Sequence, residues 1–285
     1  MAGAYWHFYT ANLALEKLEH KLKSNNKYNC ILNHRNHYLA GVQGPDFNFY
    51  PNGNKQVSQL AHGNHPADLG RSILKLARTD KERAFAYGWL MHLTTDNITH
   101  PLVNKLILKH FPSKTINGTN PGKYPLGHHR VEWGIDLNLL QNDSIRSYLP
   151  DLEQALFPAK DLADLVNNAL SDVFDFKLNP NEWHGAINSM VSYLRLFNKV
   201  WKVTGRIIDK NVLKQAAKTL GFHAFVKPVA KIAALRNPDN GAGVFIPIKP
   251  NQEDIDAVFQ HAGMICPVFA EYLEEDFVNL PNDTG

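Results

Sequence analysis

The hydrophobic positions of this chain recur at three- and four-residue intervals, and strand-like alternation is nearly absent. In TANLALEKLEHKL, Leu13, Leu15, Leu18 and Leu22 share a helix face, and Thr10 is placed to act as an N-cap. The same period runs through HPADLGRSILKLARTD, KERAFAYGWLMHLTTDNITHPLVNKLILKHF, VEWGIDLNLLQN and AKDLADLVNNALSDVF. It continues in EWHGAINSMVSYLRLFNKVWKVTGRIID, NVLKQAAKTLGFHAFVKPVAKIAAL and EDIDAVFQHAGMICPVFAEYLEEDF. GVFIPIKP (243–250) is the one strand candidate, and its prolines demote it to an edge or a loop. Residues 41–55, 112–127 and 236–251 carry turn chemistry instead. The pattern predicts an all-α fold. No long linker or fixed-period repeat divides the 285 residues, so they read as one helical domain. Residues 1–145 hold the candidate chemistry, and the helical half 146–285 carries no motif.

One helix breaks its own apolar pattern. In GWLMHLTTDNITHPL (88–102), His92, Asp96 and His100 stand four residues apart and so share one stripe. The adjoining AFAYGWLM is apolar on nearly every face, which marks a helix buried all round. An ionised aspartate buried without a partner costs several kcal/mol, so something cationic must face it. A divalent metal would satisfy all three side chains. A hydrogen-bonded polar cluster, with Asp96 paired to a histidine, is the alternative.

Composition sharpens the choice. The chain has 14 histidines, and 11 of them lie between His7 and His129, so the chemistry belongs to that half. Cys30 and Cys266 are too few for a thiolate site or a disulfide scaffold. LGHHRVEWGID repeats the four-residue spacing with His128 and Glu132, and His129 is a rival to His128 that lacks Glu132 on its face. GPDF places Asp46 in a Gly/Pro turn, where an Asx-turn is the simpler reading. QLAHGNHPADLG offers His62 or His65, and YWHFYTANLALEKL offers His7. Histidine and carboxylate without cysteine is the ligand chemistry of catalytic zinc and similar ions. The count exceeds one tetrahedral site and suits a cluster of about two or three ions with a bridging carboxylate. Phe47, Phe49 and Tyr50 lie close in sequence to these ligands and are candidates to contact substrate, although aromatics are more often core.

The formal charge of +3 is spread out, with no basic block of the kind that binds nucleic acid. No apolar run is long enough to span a bilayer, and the N-terminus has no secretory signal pattern, so a cytoplasmic location is expected. The sequons at Asn97, Asn117, Asn142 and Asn282 read as chance.

The order His7, Asp46 in GPDF, His62, H-x3-D-x3-H and H-x3-E resembles the zinc-dependent phospholipase C family. That family includes the catalytic domain of glycosylphosphatidylinositol phospholipase D, and it is more distantly similar to single-strand-specific nucleases. The resemblance covers about residues 5–140. It implies an all-helical domain around a trinuclear zinc cluster that hydrolyses phosphoesters. It would give Asp46, His62, His92 and Asp96 to one zinc, and His100, His128 and Glu132 to a second. A third would take His7 and a bridging Asp96, with Asp46 also the general base. Secreted members complete the third site with a processed N-terminal tryptophan; Trp6 here is internal and adjacent to His7. The expected function is a phospholipase C-like phosphodiester hydrolase that uses zinc and acts on phospholipid. A nuclease or phosphomonoesterase on the same cluster, and a non-catalytic protein stabilised by metal, are the alternatives.

Overall fold

A computed structural model of the protein describes residues 3–63, 65–111, 125–204, 248 and 250–282. Among these residues there are twelve α-helices and no strand. The first seven are α1 (Ala4–Lys17), α2 (Glu19–Ser24), α3 (Asn29–Asn33), α4 (Arg35–Val42), α5 (Lys55–Gly63), α6 (Pro66–Leu76) and α7 (Asp80–His110). The others are α8 (Pro125–Gln141), α9 (Leu152–Leu156), α10 (Ala163–Phe174), α11 (Pro180–Thr204) and α12 (Gln252–Glu274). Three 3-10 turns join them, and one, Gly44–Phe49, holds the GPDF stretch. The expected helix in NVLKQAAKTLGFHAFVKPVAKIAAL, most of the loop 112–127 and all but two residues of GVFIPIKP lie outside the described residues.

Helix α7 is the axis of the molecule. A capping box starts it: Thr79 Oγ1 accepts from Glu82 N at 3.2 Å, and Glu82 Oε2 accepts from Thr79 N at 2.8 Å. From Ala84 to Asp96 every residue is buried, as the all-round apolar sequence requires. Helices α1, α3, α4, α6, α8 and α12 all pack against it. The contact with α4 is backbone to backbone. A Cβ on Gly41 would lie 1.9 Å from the Phe85 carbonyl oxygen, and one on Gly88 1.9 Å from that of Tyr38. Only glycine permits this approach, and it brings the Val42 carbonyl within reach of His92.

Helix α12 and the residues after it fold back over α2, α3 and α6. Lys21 Nζ donates to the Ala270 carbonyl at 3.0 Å, Tyr28 Oη donates to that of Leu273, and Arg71 Nη1 donates to that of Phe277 at 2.9 Å. Among the described residues, no helix is long and apolar enough to cross a membrane.

One local expectation fails. Thr10 does not cap a helix; α1 begins six residues earlier, at Ala4, after Gly3. The run Ala4–Phe8 is buried and extends the helix backwards. The Thr10 hydroxyl then bonds back to the carbonyls of Trp6 and His7, both at 3.1 Å. A buried hydroxyl inside a helix commonly finds its partner in the preceding turn.

Candidate metal centre

Five segments converge on Asp96. Helix α7 contributes His92, Asp96 and His100 from one stripe. Helix α1 brings His7, the 3-10 turn brings Asp46, the last turn of α5 brings His62, and α8 brings His128 and Glu132. All eight candidate ligands therefore meet. Asp96 Oδ1 lies 3.2 Å from His7 Nε2 and 3.5 Å from His100 Nε2. Its Oδ2 lies 3.1 Å from His92 Nε2 and 3.7 Å from His62 Nε2. Asp46 Oδ1 is 3.3 Å from His62 Nε2. Glu132 Oε1 is 3.0 Å from His128 Nε2 and 3.8 Å from His100 Nε2.

Three subsets could each hold an ion: His7 with His92 and Asp96, Asp46 with His62 and His92, and His100 with His128 and Glu132. Within each subset the ligand atoms lie within 4.8 Å of one another. The ring geometry fits a cation. His92 Nδ1 and His62 Nδ1 each stand 2.8 Å from a carbonyl oxygen, of Val42 and Ser58 respectively. A carbonyl only accepts, so both rings carry a proton on Nδ1 and turn Nε2 into the site. Those two Nε2 atoms are 3.1 Å apart. Two facing lone pairs need a cation between them, either a proton or a metal. Glu132 Oε2 is buried without a hydrogen-bond partner, which an ion would also satisfy.

The electrostatics follow from the packing. Burial alone would raise the Asp96 carboxyl, but His92, His100 and His7 outweigh it and hold the group well below its ordinary value. Burial likewise works to lower His92, yet Asp96 and then Asp46 push it up to about 9. His7 goes the other way, because burial and the neighbouring His92 outweigh Asp96. Asp46 and Glu132 are both lowered despite burial, Asp46 by the neighbouring His62 and His92 and Glu132 by His128. The side chains of His128 and His62 are the most exposed of the eight, at 28% and 19%, so solvent reaches the cluster from their side.

His65 is turned outward. It caps α6 in a left-handed conformation (φ 55°) and pairs with Asp68 at 3.0 Å. His62 is the histidine of that segment which enters the site. His129 belongs to none of the three subsets. The aromatic candidates separate as well. Phe47 has no exposed surface and packs edge-on against Trp183, so it is core. Tyr50 is buried edge-on against Tyr193. Phe49 alone of the three keeps exposed surface, with its ring 5.3 Å from that of His62.

Sequence reasoning missed Asp136. It stands four residues beyond Glu132 on the same stripe of α8, and that spacing was the signal available. It is buried and accepts from three backbone amides at the start of α1. Burial pushes its carboxyl up to about 7 against the pull of those amides.

No curated protein and no solved structure matches the chain. The family described as zinc dependent phospholipase C matches residues 6–194, which is more than half of the chain and contains all eight converging side chains. The chain belongs to the zinc-dependent phospholipase C family.

Proposed function

We propose that the protein hydrolyses a phosphodiester, with phospholipid as the substrate class, at a cluster of two or three zinc ions held by the three subsets around Asp96. The observation that carries this reading is the convergence itself. Asp96 shares its two oxygens among His7, His62, His92 and His100, as a bridging carboxylate must. Family membership supports metal-dependent, phospholipase C-like hydrolysis; the ion count, residue roles and substrate are our reading.

When bound, such ions supply Lewis acidity, which activates water and offsets charge on phosphoryl oxygens. The chain's own residues do the rest. Asp96 holds the three positions in register. His62 and His92 are fixed in one tautomer by the Ser58 and Val42 carbonyls, so their Nε2 atoms need no reorganisation. Asp46 is ionised and adjacent to the partly exposed His62, which places it to orient an attacking water and take up the proton that water releases as the bond to phosphorus forms. Phe49 lies on the same side and offers an apolar contact to the part of the substrate that does not react.

The test is a side-by-side assay. A phospholipid or a chromogenic phosphocholine ester should be cleaved faster than single-stranded DNA or RNA. Activity should vanish with chelator and return with zinc. Robust cleavage of single strands without activity on any phospholipid would overturn the substrate class and favour a nuclease.

A further inference from the structure

We propose that Asp136 is a positioning residue for His7, and so governs the ion position that His7 shares with Asp96; this rests on the zinc-cluster reading above. The starting point is how each histidine is held. The rings of His62 and His92 are each tied by Nδ1 to a carbonyl. His7 has no such tie, because its buried Nδ1 lacks a hydrogen-bond partner. Metal-ligating histidines ordinarily gain their orientation from that second ring nitrogen. The His7 ring stacks on that of His92, with centroids 4.1 Å apart, but no hydrogen bond from Nδ1 anchors it, so its reach toward Asp96 follows the placement of the helix that carries it.

Helix α1 does not secure its own start. Gly3 at its N-cap has no side chain, and the first turn contains no acid. The amides exposed there need an acceptor. Asp136 supplies it from α8: Oδ2 accepts from Gly3 N at 3.1 Å and Tyr5 N at 3.3 Å, and Oδ1 accepts from Trp6 N at 2.9 Å. A carboxylate at this end also complements the helix dipole. His7 follows directly, and its own amide donates to the Gly3 carbonyl at 2.9 Å. A second pin sets the rotation of α1 against α7: Trp6 Nε1 donates to Thr99 Oγ1, beside His100, at 3.1 Å.

The stripe His128, Glu132 and Asp136 thus does two jobs. Its first two members offer ligand atoms, and the third fixes the helix that delivers another. This couples the two halves of the cluster through α8.

The experiment titrates zinc into chelated protein against a chromophoric competitor, with elemental analysis for the count. Wild type, His7→Ala and Asp136→Asn are compared. Asp136→Asn should weaken one zinc equivalent roughly ten- to a hundredfold, the same equivalent that His7→Ala removes, and leave the others within about threefold. If Asp136→Asn does not fold, Asp136→Ser, which leaves space in place of a misplaced amide, is read in the same way. Wild-type affinity at every equivalent, or an equal weakening of all of them, would overturn the proposal and leave the cluster standing. Wild-type protein that binds less than one equivalent would overturn the cluster itself.

Discussion

Helix α7 meets two buried aspartates that are neutralised in different ways. Near its C-terminal end, Asp254 of α12 accepts from Lys109 Nζ at 2.6 Å and from His110 Nε2 at 2.9 Å. Asp254 also closes the capping box of its own helix with Asn251. A permanent cation of the chain cancels its charge, and the arrangement is complete as folded. At mid-helix, Asp96 faces four imidazoles and, among the described residues, no lysine or arginine. Imidazoles are neutral near neutral pH unless something raises them. Among the described residues, the counter-charge of Asp96 therefore comes from protons on those imidazoles or from metal ions. A buried carboxylate with a lysine is structure; a buried carboxylate among histidines is a socket.

The largest effect should come from removing each charge in turn. Asp96→Asn should lose more than one zinc equivalent and destabilise the zinc-loaded protein by about 3–5 kcal/mol, because the ions lose their shared anion. Asp254→Asn should also lower the melting temperature, yet keep full zinc content. Elemental analysis with thermal melting separates them, and equal zinc loss in both variants would break the comparison. Next in size, Asp46→Asn should lower turnover by roughly a hundredfold or more. Zinc occupancy must be measured on the same sample, so that loss of an ion is not mistaken for loss of a base. His62→Ala should abolish activity.

A smaller effect, with a definite sign, is pH dependence. In chelated protein His92 is raised to about 9 from an ordinary value of 6.5. Its contribution to stability is complete below pH 6.5 and is lost as pH rises through 9, because the folded state binds the proton more tightly. Zinc competes with that proton, so zinc binding strengthens over the same window. The melting temperatures of zinc-loaded and chelated protein should diverge from pH 6.5 to 9. A constant gap would remove His92 from the ligand set. The smallest effect belongs to His65→Ala: stability within about 0.5 kcal/mol and zinc content unchanged, since the side chain faces solvent.

The legible parts of the sequence share one property, which is local spacing. The four-residue interval put His92, Asp96 and His100 on a stripe, and the same interval paired His128 with Glu132. The all-α class followed from the period of the apolar positions. The choice between His62 and His65 was not local. It turns on Pro66 opening a new helix, which leaves His65 as an outward joint and His62 on the last turn of α5. Thr10 misled because its cap chemistry is equally suited to a bond back along its own helix. Asp136 was hidden for another reason. Its partners are backbone amides far away in sequence, and an amide at a helix start has no residue signature. Phe47 and Tyr50 illustrate the limit of adjacency: they neighbour Asp46 in the chain and are buried against α11.

The central claim is that Asp96 is a socket for imported cations, and zinc stoichiometry tests it most directly. Protein purified from zinc-supplemented culture should carry two or three equivalents, matching the three ligand subsets. Less than one equivalent would contradict the account and leave protonated histidines, in place of zinc, to hold Asp96.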